Sequence, residues 1–245
     1  MVVEPIKTRV FKESESLVPF IKKNVLRLPE RSILVITQKI VSLSEGRIRE
    51  LENERTRDKI IKEESDLAIR TKYTWLTIKD GTVMSSAGVD ESNANGKLVL
   101  LPRDSFASAA RIRKELQKIY KVKRLGVLIT DSRLLPLRAG VVGVALGYAG
   151  FKGVRDYRGK PDIFGRKLKL SRTDVADSLA TAAVLEMGEA AEQQPIAIIK
   201  NAQVEFTERV NRKELHIDPK DDVYAPMFKK VLDIKFEKKK KTGKL

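Results

Sequence analysis

The sequence contains no cysteine and a single histidine among its 245 residues. The absence of cysteine excludes disulfides, cysteine-ligated zinc, iron–sulfur clusters and thiol nucleophiles, and it fits a reducing compartment. A Ser-His-Asp triad or a histidine relay would have to use His216, which lies in a polar segment and is expected to be solvated or to cap a turn. A bound metal must therefore have oxygen ligands, which favours Mg²⁺ or Mn²⁺ over zinc.

Long apolar runs and the common nucleotide-binding motifs are also missing. No apolar stretch approaches the roughly 18–20 residues of a membrane span. The N-terminus carries Glu4 and lacks the apolar core of a signal peptide. Gly96-Lys97 is followed by Leu98 where a P-loop needs Ser or Thr, and no dinucleotide-binding glycine pattern occurs. We therefore expect a cytoplasmic protein without a P-loop or Rossmann motif.

Basic residues exceed acidic ones, with 49 Lys and Arg against 33 Asp and Glu and a net charge of +16. Residues 235–245 hold six Lys and one Glu, so 16 − 5 leaves +11 on residues 1–234. We predict one domain over residues 1–234 and a disordered Lys-rich tail over 235–245. Nucleic-acid binding is one hypothesis for this charge. It is disfavoured because aromatic residues make up only 6% of the chain and do not alternate with the basic ones.

Helical and strand-like segments alternate along the chain. Helices are predicted over residues 14–24, 50–65, 104–120, 173–187 and 221–232, and strands over 32–37, 124–130 and 195–200. A hairpin is predicted around Asp80-Gly81, a pair favoured in tight turns. The glycines at positions 140, 143, 147 and 150 of a strand-like segment predict bulges or close backbone approach. No Gly- or Pro-rich linker divides the chain, so we predict an α+β fold, as two interlocked subdomains.

Acidic residues occur in three turn-like contexts that could meet in the fold. Asp90 follows the predicted hairpin, Asp131 and Ser132 end the second strand, and Glu189 follows the glycine that ends a helix. If these segments converge, they form an all-oxygen site for divalent cations with open positions for phosphate. Spacing alone favours a simpler interpretation, because an aspartate in a turn usually caps the local backbone.

Seven segments, in this order, carry a resemblance to a known family. They are SEGRI (residues 44–48), AGVDESN (87–93), LLPRD (100–104), GVLITDS (126–132), RAGVVGVALG (138–147), DYRGKPDIFGR (156–166) and VADSLATAAVLEMGE (175–189). Together they resemble the coenzyme F420-0:L-glutamate ligase family of γ-glutamyl ligases. The resemblance implies a GTP-dependent homodimer, with ATP as an alternative nucleotide, that uses Mg²⁺ or Mn²⁺. The implied reaction joins L-glutamate by an amide bond to a carboxylate that is first activated as an acyl phosphate.

The resemblance also implies roles for individual residues. Asp90 and Asp131 resemble ligands of one cation, and Ser132 and Glu189 resemble ligands of a second. The residues that resemble nucleotide contacts are Asn93 and, by position, Thr8, Arg9, Val10 and Phe11. No catalytic residue beyond these is assigned.

Three departures from the family pattern lie near these residues. Leu43 stands where the family commonly has a Lys that contacts phosphate, and Lys39 could replace it if the segment is helical. Residues 190–194 replace a Gly-rich stretch, and residues 133–136 replace a turn usually written Asn-Gly or similar. The acceptor therefore stays open between F420-0, the family default, and a folate as the main alternative.

Overall fold

The structure, a computed structural model, describes residues 1–227. Within them, five α-helices span Leu17–Asn24 (α1), Gln38–Ser44 (α2), Glu54–Glu63 (α3), Ser105–Tyr120 (α4) and Val175–Met187 (α5). The strands span Val2–Ile6 (β1), Ser32–Thr37 (β2), Ile48–Glu50 (β3), Leu67–Arg70 (β4), Trp75–Lys79 (β5), Thr82–Ser85 (β6), Lys97–Val99 (β7), Leu125–Leu134 (β8), Val141–Ala149 (β9), Val154–Asp156 (β10), Arg172–Asp174 (β11) and Ile196–Lys200 (β12).

A five-stranded mixed sheet forms the centre, in the order β1-β12-β2-β8-β9. Strands β2 and β8 are parallel, and the other neighbouring pairs are antiparallel. Both faces of β2 are buried: Leu34 packs in a core with α1, α2 and α4, whereas Ile33 packs in a core with α5. A strand buried on both faces has apolar residues at successive positions, as in SILVIT. The predicted α+β fold is confirmed.

Glycines in β9 let two helices approach the sheet closely. A Cβ atom added at Gly143 would lie 2.3 Å from the carbonyl oxygen of Ala180 in α5. One added at Gly147 would lie 2.4 Å from the backbone carbon of Ser105 in α4. The β8–β9 register also shifts between Ile129 and Thr130. The predicted bulge is confirmed, and so is the close approach at Gly143, Gly147 and Gly150. At Gly140 the prediction is wrong, because nothing lies within 4 Å of an added Cβ atom.

A smaller unit precedes α4. Strands β4, β5 and β6 form an antiparallel sheet, and β3 pairs with β7. Helix α3 contributes Ile60 and Ile61 to a core that includes Trp75. The β5–β6 hairpin turns at Asp80-Gly81, both with positive φ, as the sequence predicts. The division into two interlocked subdomains stays a prediction.

Several predicted boundaries are wrong for local reasons. Helix α1 begins at Leu17 rather than at residue 14, because Ser14 has a left-handed φ of 59°. Helix α3 begins after its cap, Asn53, because residues 48–50 pair with β7 instead. Helix α5 begins at Val175 because residues 172–174 pair with β10.

Two further predictions concern the ends of the second strand and of the chain. Asp131 and Ser132 do not end β8, because the strand continues to Leu134 through pairing with β9. Residues 221–224 of the last predicted helix form turns, and residues 225–227 are helical. Residues 228–232 of that helix, the boundary at residue 234 and the Lys-rich tail lie outside the described residues. No helix within residues 1–227 is long and apolar enough to cross a membrane.

Candidate functional site

One cavity of about 370 Å³ lies where the segment after β1, helix α2, strand β8 and the segment after α5 meet. Every residue that the sequence analysis singled out lines it: Thr8, Arg9, Val10, Phe11, Lys39, Asp90, Asn93, Asp131, Ser132 and Glu189. These residues come from five separate parts of the chain and converge only through the fold. Their individual roles stay predictions.

Helix α2 forms one wall of the cavity. Its cap is Thr37, the last residue of β2, whose Oγ1 accepts a hydrogen bond from the backbone N–H of Lys39 at 3.2 Å. Lys39 and Leu43 are one helical turn apart, and both line the cavity. The condition under which Lys39 could replace the missing family Lys, a helical segment, is therefore met.

The Lys39 ammonium group contacts the loop that carries Asp90. Its Nζ lies 2.7 Å from Asp90 Oδ2 and 3.0 Å from Ser92 Oγ. Burial alone would raise the pKa of Asp90, but the hydrogen bond and charge of Lys39 outweigh it and hold that pKa below its usual range. Backbone hydrogen bonds of 3.0 and 2.8 Å with Val99 fix the Asp90 main chain. Asp90 is therefore a carboxylate anion that the Lys39 ammonium group holds in place.

Asp131 has a different electrostatic environment. Burial raises the pKa of its carboxyl to about 6, Arg133 opposes that rise, and the charges of Asp90 and Glu189 add to it. The next residue, Ser132, donates a 3.2 Å hydrogen bond from its hydroxyl to Glu189 Oε2. The charges of Asp90 and Glu189 thus act on Asp131 at this end of the cavity.

The segment from Thr8 to Phe11 packs beside the segment that follows α5. The backbone N–H of Thr8 donates to the Gln193 carbonyl at 2.8 Å, and Asn93 Nδ2 donates to the Ala190 carbonyl at 3.2 Å. Residues 190–194, which depart from the family pattern, are therefore part of the cavity wall. Phe11 is buried against Phe20, so its backbone is the part available to a ligand.

The family model for F420-0:Gamma-glutamyl ligase matches residues 5–201. The chain belongs to the F420-0:gamma-glutamyl ligase family. It is 35% identical over 215 residues to the coenzyme F420:L-glutamate ligase of Methanococcus maripaludis strain C6, covering 80% of this chain and 86% of the relative. It is 39% identical over 192 residues to the enzyme of that name from Methanothermobacter thermautotrophicus, covering 71% and 76%. The predicted family and its enzyme class, an amide-bond-forming ligase, are confirmed.

The side chains of this ligase suit hard divalent cations. Asp90, Asp131, Ser132 and Glu189 offer only oxygen donors, which Mg²⁺ and Mn²⁺ prefer. Within residues 1–227 no three acidic or histidine side chains are close enough to hold one ion together. If the cations that the resemblance implies bind here, each would be held by a pair of side chains and completed by phosphate or water oxygens. Two cations would also offset the repulsion that raises the pKa of Asp131.

Two polar residues at this end of the ligase are not predicted from the sequence. Ser92 contacts Lys39 and also donates from its backbone N–H to Asp90 Oδ1 at 2.7 Å. Its position two residues after Asp90 is a local signal for such a turn. Arg133 lies beside Asp131 on β8, and nothing local distinguishes it from the other basic residues of the chain.

Proposed function

We propose that this ligase joins L-glutamate to the terminal carboxylate of F420-0 in a GTP-dependent reaction that requires Mg²⁺ or Mn²⁺. The observation that carries the proposal is the convergence of all ten predicted residues on one cavity. Curated relatives named coenzyme F420:L-glutamate ligase support the choice of glutamate and of a deazaflavin acceptor. The cavity volume of about 370 Å³ lies in the range of small-molecule sites.

The reaction has two steps. An oxygen of the acceptor carboxylate attacks the γ-phosphorus of GTP, so that GDP leaves and an acyl phosphate forms. The neutral α-amino group of L-glutamate then attacks the acyl carbon, phosphate leaves, and the nitrogen loses a proton as the amide forms. Divalent cations would supply charge neutralisation at the phosphate oxygens in both steps.

The residues of the cavity are suited to holding these anions in place. Asp90, Asp131, Ser132 and Glu189 would hold the cations. Lys39 would move its ammonium group from Asp90 to a phosphate oxygen when a cation takes over the neutralisation of that carboxylate. The Thr8–Phe11 backbone and Asn93 would hold the nucleotide beside residues 190–194. Apart from that of Lys39, each contact would be made by a group that the fold already positions, which lowers the cost of reorganisation.

A ligation assay with a panel of acceptors tests this function. The protein is incubated with L-glutamate, Mn²⁺ or Mg²⁺, GTP or ATP, and F420-0, dihydrofolate or tetrahydrofolate. Mass spectrometry then detects added glutamyl units. We expect glutamylated F420-0 with GTP and no product after chelation of the metal. A glutamylated folate alone would replace the proposed acceptor, and the absence of product with every acceptor would contradict the ligase proposal.

We also propose that the ligase is a homodimer in which the β8–β9 turn contacts the second copy. Large apolar side chains are exposed there and on the segment that follows β10. Leu137 is fully exposed at the turn, and Ile163 and Phe164 are 91% and 89% exposed. Several exposed apolar side chains in one turn typically mark a protein contact, whereas a single exposed leucine is ordinary.

Leu137→Asp is expected to convert the dimer to a monomer, because a charge placed in an apolar interface must lose its hydration without a partner. Size-exclusion chromatography with light scattering measures the mass at micromolar concentration. Leu26→Asp, at a residue that is 93% exposed after α1, is the matched control and should leave the dimer intact. A dimeric Leu137→Asp variant would exclude the β8–β9 turn as the interface.

A further inference from the structure

Within residues 1–227, Arg133 has a buried nitrogen atom without a hydrogen-bond partner. This atom is Nε, and the single polar contact of the guanidinium group in that part of the chain runs from Nη2 to Met84 Sδ at 4.0 Å. No carboxylate of residues 1–227 lies within 4.0 Å of the guanidinium group. Residues 1–227 contain one other buried side-chain nitrogen without a hydrogen-bond partner, Nε of Arg57. The side chain of Arg57, however, forms an ion pair with Glu91 at 3.8 Å. Because buried unpaired donors are costly, an anion that paired with Arg133 would remove this cost.

Arg133 does not line the cavity itself, but it lies close to a residue that does, Asp131. Arg133 follows Asp131 by two residues in β8, so the two side chains lie on the same face of the strand, about 7 Å apart along it. On that face, Met84 of the β5–β6 hairpin covers Arg133. Burial lowers the pKa of Arg133, while Asp131 and Asp177 oppose the change. The guanidinium stays charged, because arginine does not lose its proton in proteins.

We propose that Arg133 binds a carboxylate of the incoming L-glutamate, an inference that rests on the ligase function proposed above. A guanidinium group presents parallel N–H donors that match the two oxygens of a carboxylate. The acceptor loses its reacting carboxylate, first to the acyl phosphate and then to the amide. L-Glutamate reacts through its α-amino group and keeps both carboxylates throughout, so it needs a cation that stays paired with it.

Arg133 begins residues 133–136, the segment that replaces the Asn-Gly turn of the family pattern. The predicted nucleotide contacts Thr8 and Asn93 lie against the segment after α5, whereas Arg133 lies against the β5–β6 hairpin. A ligand that spans from Asp131 to Arg133 therefore extends away from the nucleotide.

Steady-state kinetics of Arg133→Gln test the assignment. We expect the KM for L-glutamate to rise at least about tenfold, because a bidentate charged contact is lost, while the KM values for GTP and acceptor stay within about twofold. Arg133→Lys should show an intermediate rise in the KM for L-glutamate, because lysine keeps the positive charge but lacks the parallel N–H donors of the guanidinium group. Arg111→Gln, at an exposed residue of α4, is the matched control and should leave all three KM values unchanged.

Thermal denaturation provides a readout that does not depend on turnover. With Mn²⁺ and a non-hydrolysable GTP analogue present, L-glutamate should raise the melting temperature of the wild type and of Arg111→Gln but not of Arg133→Gln. The nucleotide analogue alone should stabilise all three proteins. If Arg133→Gln does not fold, the same two measurements on Arg133→Lys decide the question.

The alternative outcomes separate the two proposals. An unchanged KM for L-glutamate in Arg133→Gln, with an active wild type, overturns the Arg133 assignment and leaves the ligase function intact. A rise in the KM for the acceptor alone would assign Arg133 to the acceptor carboxylate. This result would also overturn the assignment of Arg133 to L-glutamate. A wild type that adds no glutamate to any acceptor overturns the ligase function and this inference together.

Discussion

Asp131→Asn is expected to reduce metal-dependent ligation at least about a hundredfold while making the metal-free protein more stable at neutral pH. Activity falls because an amide is a weak ligand for a divalent cation and cannot offset its charge. Stability rises because Asp131 is an anion in a partly buried position beside the negative charges of Asp90 and Glu189. Opposite effects on activity and stability are typical of a residue kept for function.

The pH dependence of this stability change follows from the raised pKa of Asp131. Below pH 4 the Asp131 carboxyl is protonated in both the folded and the unfolded chain, and its raised pKa then contributes its full stabilisation to the folded state. That stabilisation is lost as the pH rises through about 6, where the folded protein must hold a carboxylate anion. Asn carries no charge at any pH. Its advantage should therefore be present at pH 8 and absent near pH 4.

The expected gain at pH 8 is about 1–2 kcal/mol after allowance for partial exposure to solvent. It corresponds to a rise of about 3–6 °C in melting temperature. Differential scanning calorimetry in chelator at pH 8 and pH 4 measures it. Asp80→Asn is the matched control, because Asp80 lies in the exposed β5–β6 turn, where Asn is equally acceptable.

Added Mn²⁺ should stabilise the wild type and have little effect on Asp131→Asn, because an ion stabilises a folded protein only if that protein binds it. An Asp131→Asn variant with wild-type activity would contradict the metal assignment. An equal change in melting temperature at both pH values would show that packing, and not charge, causes the effect.

The central strands and α4 could be predicted because their signals are local. Strand β2 matches its prediction at both ends, since an unbroken apolar run has no other stable location than a core. Helix α4 begins after Asp104, whose side chain accepts a hydrogen bond from the Ala107 N–H at 2.9 Å. The end of β8 could not be predicted from polarity. Asp131 and Ser132 are polar because they face the cavity, and pairing with β9 keeps them in the strand.

The composition of the site came from the family resemblance and not from spacing. Thr8 and Glu189 are far apart in sequence, and only the central sheet brings their segments to one cavity. Taken alone, Asp90 resembles a turn cap, and it does accept a hydrogen bond from the Ser92 backbone. Arg133 could not be singled out among 49 basic residues, because its distinguishing feature is burial without a partner.

Gly143→Ala is expected to destabilise the fold by about 2–4 kcal/mol, because overpacking a rigid contact forces the backbone to move. The added Cβ would lie 2.3 Å from the Ala180 carbonyl oxygen and 2.7 Å from Val184 Cγ2. Both atoms belong to α5, and the Thr181 hydroxyl also donates to the Gly143 carbonyl at 2.8 Å. Relief of the clash requires α5 to move away from β9.

Displacement of α5 should also reach the cavity, because Glu189 follows directly after this helix. We therefore expect Gly143→Ala to weaken Mn²⁺ binding as well as stability. Urea denaturation measures the stability, and calorimetric titration measures the binding. Gly159→Ala is the control for backbone strain without a clash: its φ is +80° and nothing lies within 4 Å of the added Cβ, so it should cost only about 1 kcal/mol and leave Mn²⁺ binding unchanged. Equal losses of stability in the two variants would show that the β9–α5 contact can adjust, in which case the position of Glu189 does not depend on Gly143.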